Sequence, residues 1–139
     1  MEYGAWTNQA DEAIIMREIR ERVAIRGWDN VRPALDLTVR AWIMHAFLLR
    51  SIPDYETAVQ LLQKVQRFLT WGEHQWPTVL AAERGVIFEP TFRRSVKRLY
   101  LHTLYQVCFT QLLAVFLLTF CLGCYQQPGT KLSLFSRRA

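Results

Sequence analysis

Between Arg98 and Lys131 the sequence carries no formally charged side chain for thirty-two residues. A segment that faces water on any side ordinarily keeps charges there, so the gap excludes a solvated amphipathic helix over its length. Cysteine is scarce too: three in 139 residues, all beyond position 107, which excludes a disulfide scaffold. Six Gly and five Pro, without a low-complexity tract, exclude collagen-like and disordered chains. Eighteen aromatics, five of them Trp, supply enough burial to offset the entropy lost on folding.

Strand patterns are also missing. The only β-like run, Gly85-Val86-Ile87-Phe88, is too short to make a sheet. Catalytic signatures are absent: no HExxH, GxGxxG, GxxxxGK[ST] or GxSxG occurs, and His45, His74 and His102 stand apart from one another. Cys121 and Cys124 form a CxxC, but they close an apolar run instead of opening a helix, where a thiolate would be favoured. Inert small side chains are their simplest use, and reversible acylation at a membrane border is the alternative. The expectation is therefore a non-enzymatic protein with no cofactor, no metal, no small-molecule substrate and no nucleic-acid partner.

What is present is charge-dense up to the gap. Residues 1–88 hold ten Lys/Arg and eleven Asp/Glu, so the net charge of +5 arises elsewhere, from Arg93, Arg94, Lys97 and Arg98 and from Lys131, Arg137 and Arg138. Inside the gap, residues 104–124 average about +1.9 in hydropathy, and a helix of that length rises roughly 30 Å, the hydrocarbon thickness of a bilayer. Gln106, Thr110, Gln111 and Thr119 are its polar side chains, with Tyr100, Tyr105 and Tyr125 at its borders. The segment is either a transmembrane helix or a buried core helix. The N-terminus lacks the basic and apolar regions of a secretory signal, which points to a cytosolic N-terminal part and a tail-anchored chain of unspecified organelle.

Helical periodicity organises the rest. Ile15, Ile19 and Val23 recur within residues 8–26, with Glu18 and Arg22 spaced for an ion pair, and Gly27 ends that helix. Asp29 or Asn30 is placed to cap the next, with Pro33 in its first turn. Val31, Leu35, Val39, Trp42, Ala46 and Leu49 form its apolar stripe. Ser51-Ile52-Pro53-Asp54 breaks it, and Asp54 can cap a third helix that buries Tyr55, Ala58, Val59, Leu62, Val65 and Leu69 while Gln60, Gln63, Lys64 and Arg67 face water. From Trp71 to Pro90 the sequence reads as a connector, and a last helix starts near Pro90 or Thr91.

The pair of helices over residues 41–65, AWIMHAFLLRSIPDYETAVQLLQKV, resembles a tetratricopeptide-repeat (TPR) hairpin, with one repeat at about 41–70. Trp42 takes the signature Trp position, Ala46 the small residue four later and Leu49 the large residue seven later. Ala58 falls at the family's near-obligatory Ala, Leu62 at the large position and Val65 at the closing small one. His45 and Thr70 depart from the pattern, and no second repeat is in register. The resemblance implies repeat packing through Trp42, Ala46, Leu49, Tyr55, Ala58, Leu62 and Val65. It also implies a module that binds an extended peptide or a partner helix on the inner face of its first helix, through Arg40, Ile43, Phe47 and Arg50.

That face stands on spacing as well. At i, i+3, i+7 and i+10 the four residues share one side of a helix, and two exposed guanidiniums bracketing an apolar pair suit an apolar segment that carries a carboxylate. The plainer alternative makes Ile43 and Phe47 core, with the Arg side chains snorkelling to water. The cluster Arg93, Arg94, Lys97, Arg98, just before the apolar run, is assigned to anionic lipid headgroups. A nuclear-import signal, a phosphate contact or a solvated helix face are its other uses.

The fold class expected is all-α: antiparallel TPR-like hairpins over 1–100, an apolar helix over 104–124 and a short flexible basic tail over 125–139. Function follows as a protein–protein interaction module tethered to a membrane. The alternative is a soluble scaffold or regulatory fragment, and the compositional switch after about Val107 would also suit an alternative C-terminus of a longer helical repeat protein.

Overall fold

The computed structural model describes residues 5–6 and 11–125; the expected basic tail lies outside them, apart from Tyr125. The described residues form five α-helices and a 3-10 turn, with no strand among them: α1 (Glu12–Arg26), α2 (Trp28–Ser51), α3 (Tyr55–Gln75), α4 (Ala81–Arg84), the turn Val86–Phe88 and α5 (Pro90–Tyr125). The chain divides into two compact units, residues 1–107 and 108–139.

Each helix begins or ends where its side chains dictate. The Asp11 carboxylate accepts from the Ala13 amide at 2.9 Å, so α1 starts at Glu12. Gly27, at φ 73°, donates to the Val23 carbonyl and ends it. The same glycine begins α2, which corrects the expected capping. A positive-φ glycine turns the chain within one residue, so Asp29 and Asn30 already lie inside the helix. Asp29 pairs with Arg32 at 3.9 Å, Asn30 donates back to the Arg26 carbonyl at 3.1 Å, and Pro33 sits in the second turn. Asp54 accepts from the Thr57 amide at 3.2 Å and starts α3, as its position after Pro53 predicts.

The core of the first unit is the meeting of the three apolar stripes. Ile15 and Ile19 of α1 are buried against Val31, Ala34, Leu35, Val39 and Trp42 of α2 and against Val65, Phe68 and Leu69 of α3. Thr38, buried among them, donates to the Ala34 carbonyl and accepts from the Trp6 amide at 3.0 Å. Trp6 is itself buried, with its indole N–H on Glu18 and the Arg22 guanidinium 4.4 Å from its ring. Nearer the α2–α3 turn, Ala46, Ala58 and Leu62 form a second cluster, covered by Leu49 and by Leu99 and Tyr100 of α5. Small side chains there let the two helices of the hairpin approach closely.

Three expectations for α3 change. The helix runs to Gln75, past the point where a connector was expected, because Gly72 does not break it. A Cβ at Gly72 would overlap the Phe88 ring, so the glycine is a seat for that ring. Phe88 and Ile87 are delivered into the core by the 3-10 turn, which is what the β-like run becomes. Lys64, assigned to the wet face, lies half-buried with its ammonium 4.3 Å from the Trp42 ring centroid. Burial lowers its pKa, Arg67 lowers it further, and Glu12 and Asp11 act in the opposite direction. Tyr55, expected in the core, is half-buried at the end of the stripe.

Aromatic rings continue the core into the connector. Trp28 meets Trp76 edge to face at 4.9 Å, Trp76 meets Trp71 at 5.1 Å, and Phe68 bridges Trp71 and Trp42 at 5.6 Å from each. Arg32 donates to the Ala82 carbonyl at 2.9 Å and fastens α4 to α2.

The first turns of α5 belong to this unit: Val96 and Thr103 are buried, Phe92 packs on the main core, and the Tyr100 hydroxyl accepts from Gln63 at 3.1 Å. From Cys108 to Gly123 every residue is exposed.

Candidate functional site

The turns of α2 that follow its buried stripe place Arg40, Ile43 and Phe47 on one side, as their spacing predicts. With Met44, and with Phe92 and Leu99 from α5, they line an open groove of about 480 Å³. Its floor is apolar and accessible: Phe47 is 53% exposed and Met44 58%. Ile43 and Phe92 are half-buried and pack on the main core, so the apolar surface left to water there is chiefly that of Met44 and Phe47.

The two arginines of this face differ from expectation. Arg40 is exposed, but its Nε is hydrogen-bonded to Asp36 at 2.7 Å, one helical turn back. Arg50 does not line the groove. It is half-buried, donates to Nδ1 of His102 at 2.6 Å, and sits 5.9 Å from the Phe47 ring centroid. Because an arginine is always a donor, that contact requires His102 to present an unprotonated Nδ1. The picture of two exposed guanidiniums bracketing an apolar pair is thereby corrected: one is paired along its own helix, the other is engaged by α5.

Met44, Phe92 and Leu99 were missed in the sequence. Met44 follows Ile43 and precedes Phe47 by three, so helical spacing could have found it. Phe92 and Leu99 share a side of α5 with the buried Val96 and Thr103, a periodic signal that exists but does not say which helix they would meet.

Seven residues carry the expected repeat packing. Trp42, Ala46, Ala58, Leu62 and Val65 are buried, and Leu49 and Tyr55 are half-buried. The α2–α3 pair is a packed helical hairpin compatible with a repeat of that kind. Its helices, of 24 and 21 residues, are longer than a repeat of about 34 residues accommodates.

The basic cluster is divided by its partners. Arg93 is half-buried and forms an ion pair with Glu73 of α3. Arg94, Lys97 and Arg98, at i, i+3 and i+4, share the exposed side of α5, and none has an acidic partner among the described residues. Beside them, between α3 and the start of α5, Gln66, Thr70, Arg94 and Lys97 help to line an open cleft of about 390 Å³. On α1 and α3 the Glu12–Arg67 pair closes at 2.5 Å, and the Glu12 carboxylate raises the Arg67 pKa.

In the second unit, α5 is long and apolar enough to cross a membrane, with a mean hydropathy of 1.9 over eighteen residues and none of that stretch buried. Thr119 satisfies its hydroxyl within the helix, on the Val115 and Phe116 carbonyls. Cys121 is an exposed free thiol, and the side chain of Cys124 lies outside the described residues. No group of three or more His, Cys, Asp or Glu suited to a metal ion occurs among the described residues, where His45 and His74 are exposed.

No protein-family model matches the chain, and no curated protein or solved structure shows significant similarity to it.

Proposed function

We propose that this chain is a non-enzymatic, TPR-like protein-interaction module held at a membrane by the apolar half of α5. One observation carries the reading: an uncharged, bilayer-length helical run, 104–124, that is predominantly apolar and exposed throughout residues 108–123. Burying such a surface in hydrocarbon gains what the folded unit leaves ungained. Arg94, Lys97 and Arg98 lie about two to three turns before the 104–124 run and can meet anionic headgroups, each adding on the order of 1 kcal/mol near the surface. The groove of Ile43, Met44, Phe47, Phe92 and Leu99 is then the surface on which a partner's apolar side chains would seat.

Flotation with phosphatidylcholine–phosphatidylserine vesicles, followed by alkaline carbonate extraction, tests the tether. The full chain should float and resist extraction. Leu113→Lys with Leu117→Lys should leave the vesicles, since each charge at a helix centre costs about 2.5–3.5 kcal/mol. A parent chain that is soluble and monodisperse without detergent would sink the proposal and favour the soluble scaffold.

A further inference from the structure

In hydrocarbon, a side-chain carboxamide without a hydrogen-bond partner is costly, so polar groups in spanning helices turn toward protein or water. The polar side chains of the apolar half of α5 differ in this respect. Thr119 is satisfied by its own helix, and Gln106 and Thr110 have interaction partners. Gln111 is exposed and has no partner among the described residues. It is the eighth residue of the 104–124 run, roughly 10 Å inside one end, too deep for headgroups to satisfy it.

The helix around Gln111 is two-sided in size. Gln111, Ala114, Leu118 and Cys121 recur at alternating steps of three and four and so share one side. Phe109, Leu113, Phe116 and Phe120 fall on the other. Small side chains at Ala114 and Cys121 admit a neighbouring backbone closely on the Gln111 side, and the phenyl rings prevent this on the opposite one.

We propose that α5 pairs in the bilayer with the same helix of a second copy of this chain, the two Gln111 carboxamides hydrogen-bonding each other across the side that carries Ala114, Leu118 and Cys121. The inference rests on the membrane reading above. A second copy is favoured over an unrelated helix because a carboxamide is its own complement, with N–H donors and a carbonyl acceptor on one group. Copies inserted in one direction pair in parallel, which sets Gln111 opposite Gln111 at equal depth. The alternating three-and-four spacing gives such a pair a left-handed crossing, with Cys121 of one copy facing Cys121 of the other.

The chain carries its own reporter. In a Cys108→Ser, Cys124→Ser background Cys121 is the only thiol. That full-length variant, reconstituted at low density in phosphatidylcholine–phosphatidylserine vesicles and oxidised with copper phenanthroline, should give a disulfide-linked dimer. Gln111→Leu should weaken association roughly three- to twenty-fold, the range found for hydrogen bonds between membrane helices. Its flotation should be unchanged, because leucine is the more apolar residue. Moving the carboxamide to the other side, Gln111→Leu with Leu113→Gln, should not restore cross-linking. A chain that floats but fails to cross-link, or cross-links equally well without Gln111, overturns the pairing and leaves the tether standing. A parent chain that stays off the vesicles overturns both.

Discussion

The stripe of α3 and the second half of α5 are both rich in Leu, Val and Phe, yet the first is buried and the second exposed. In α3 the apolar residues recur every three or four positions and leave a polar side with Gln60, Gln63 and Arg67. In α5 beyond Cys108 apolar residues occur all round the helix, and Thr110, Gln111 and Thr119 interrupt them without forming a continuous polar side. Hydropathy measures how much apolar surface a helix has; periodicity decides what solvent can receive it. A helix with one apolar stripe finds its partner in its own chain. A helix apolar all round needs a surrounding that is apolar all round.

The strongest way to break this comparison is to attack the stripe alone. Ala58→Arg forces a long cation into the site where α2 and α3 approach, and should cost about 4 kcal/mol or more, a loss of cooperative unfolding in urea. Vesicle flotation should survive it. The neighbouring Gln60→Arg, on the exposed side, should be nearly silent, and equal losses for both would show the helix phase to be wrong.

Gly72→Ala sharpens the comparison at smaller scale. Alanine gains roughly 1 kcal/mol in helix propensity, but its methyl group collides with the Phe88 ring. Overpacking costs of about 1–3 kcal/mol should win, giving a net loss in urea midpoint. Gly72→Ala with Phe88→Leu should recover part of it, since the colliding ring is gone.

A smaller loss still should come from Arg67→Ala. Its pair with Glu12 joins α1 to α3, but the Arg67 side chain is 60% exposed, so less than about 1 kcal/mol is at stake. Raising salt should shrink even that difference, as screening weakens exposed pairs.

Most of this fold was legible in the sequence. Periodicity placed the stripes of α1, α2 and α3, Pro53 and Asp54 marked the turn between α2 and α3, and Pro90 opened α5. Local rules failed where a distant residue decided the outcome. Gly72 looks like a helix breaker until Phe88 arrives sixteen residues later to need the space. Lys64 has the composition of a wet face, but the Trp42 ring of another helix draws it in. Asp29 and Asn30 have good capping chemistry, and Gly27 pre-empts both by turning the chain in a single residue.

The groove divides in the same way. Arg40, Ile43 and Phe47 share a side by helical arithmetic alone. Phe92 and Leu99 join them only because α5 packs beside α2, a fact of tertiary structure with no counterpart in local spacing. The role of Arg50 turned on His102, fifty-two positions away.

All five indoles of this protein lie in the first unit, three of them stacked edge to face in the Trp28–Trp76–Trp71 series, and none lies in the apolar half of α5. The molecule is thus spectroscopically one-sided. Its tryptophan fluorescence and the coupled indole transitions of its near-ultraviolet circular dichroism report on the first unit alone, and with the second unit inserted as proposed, lipid-borne quenchers at the bilayer centre should leave that emission untouched.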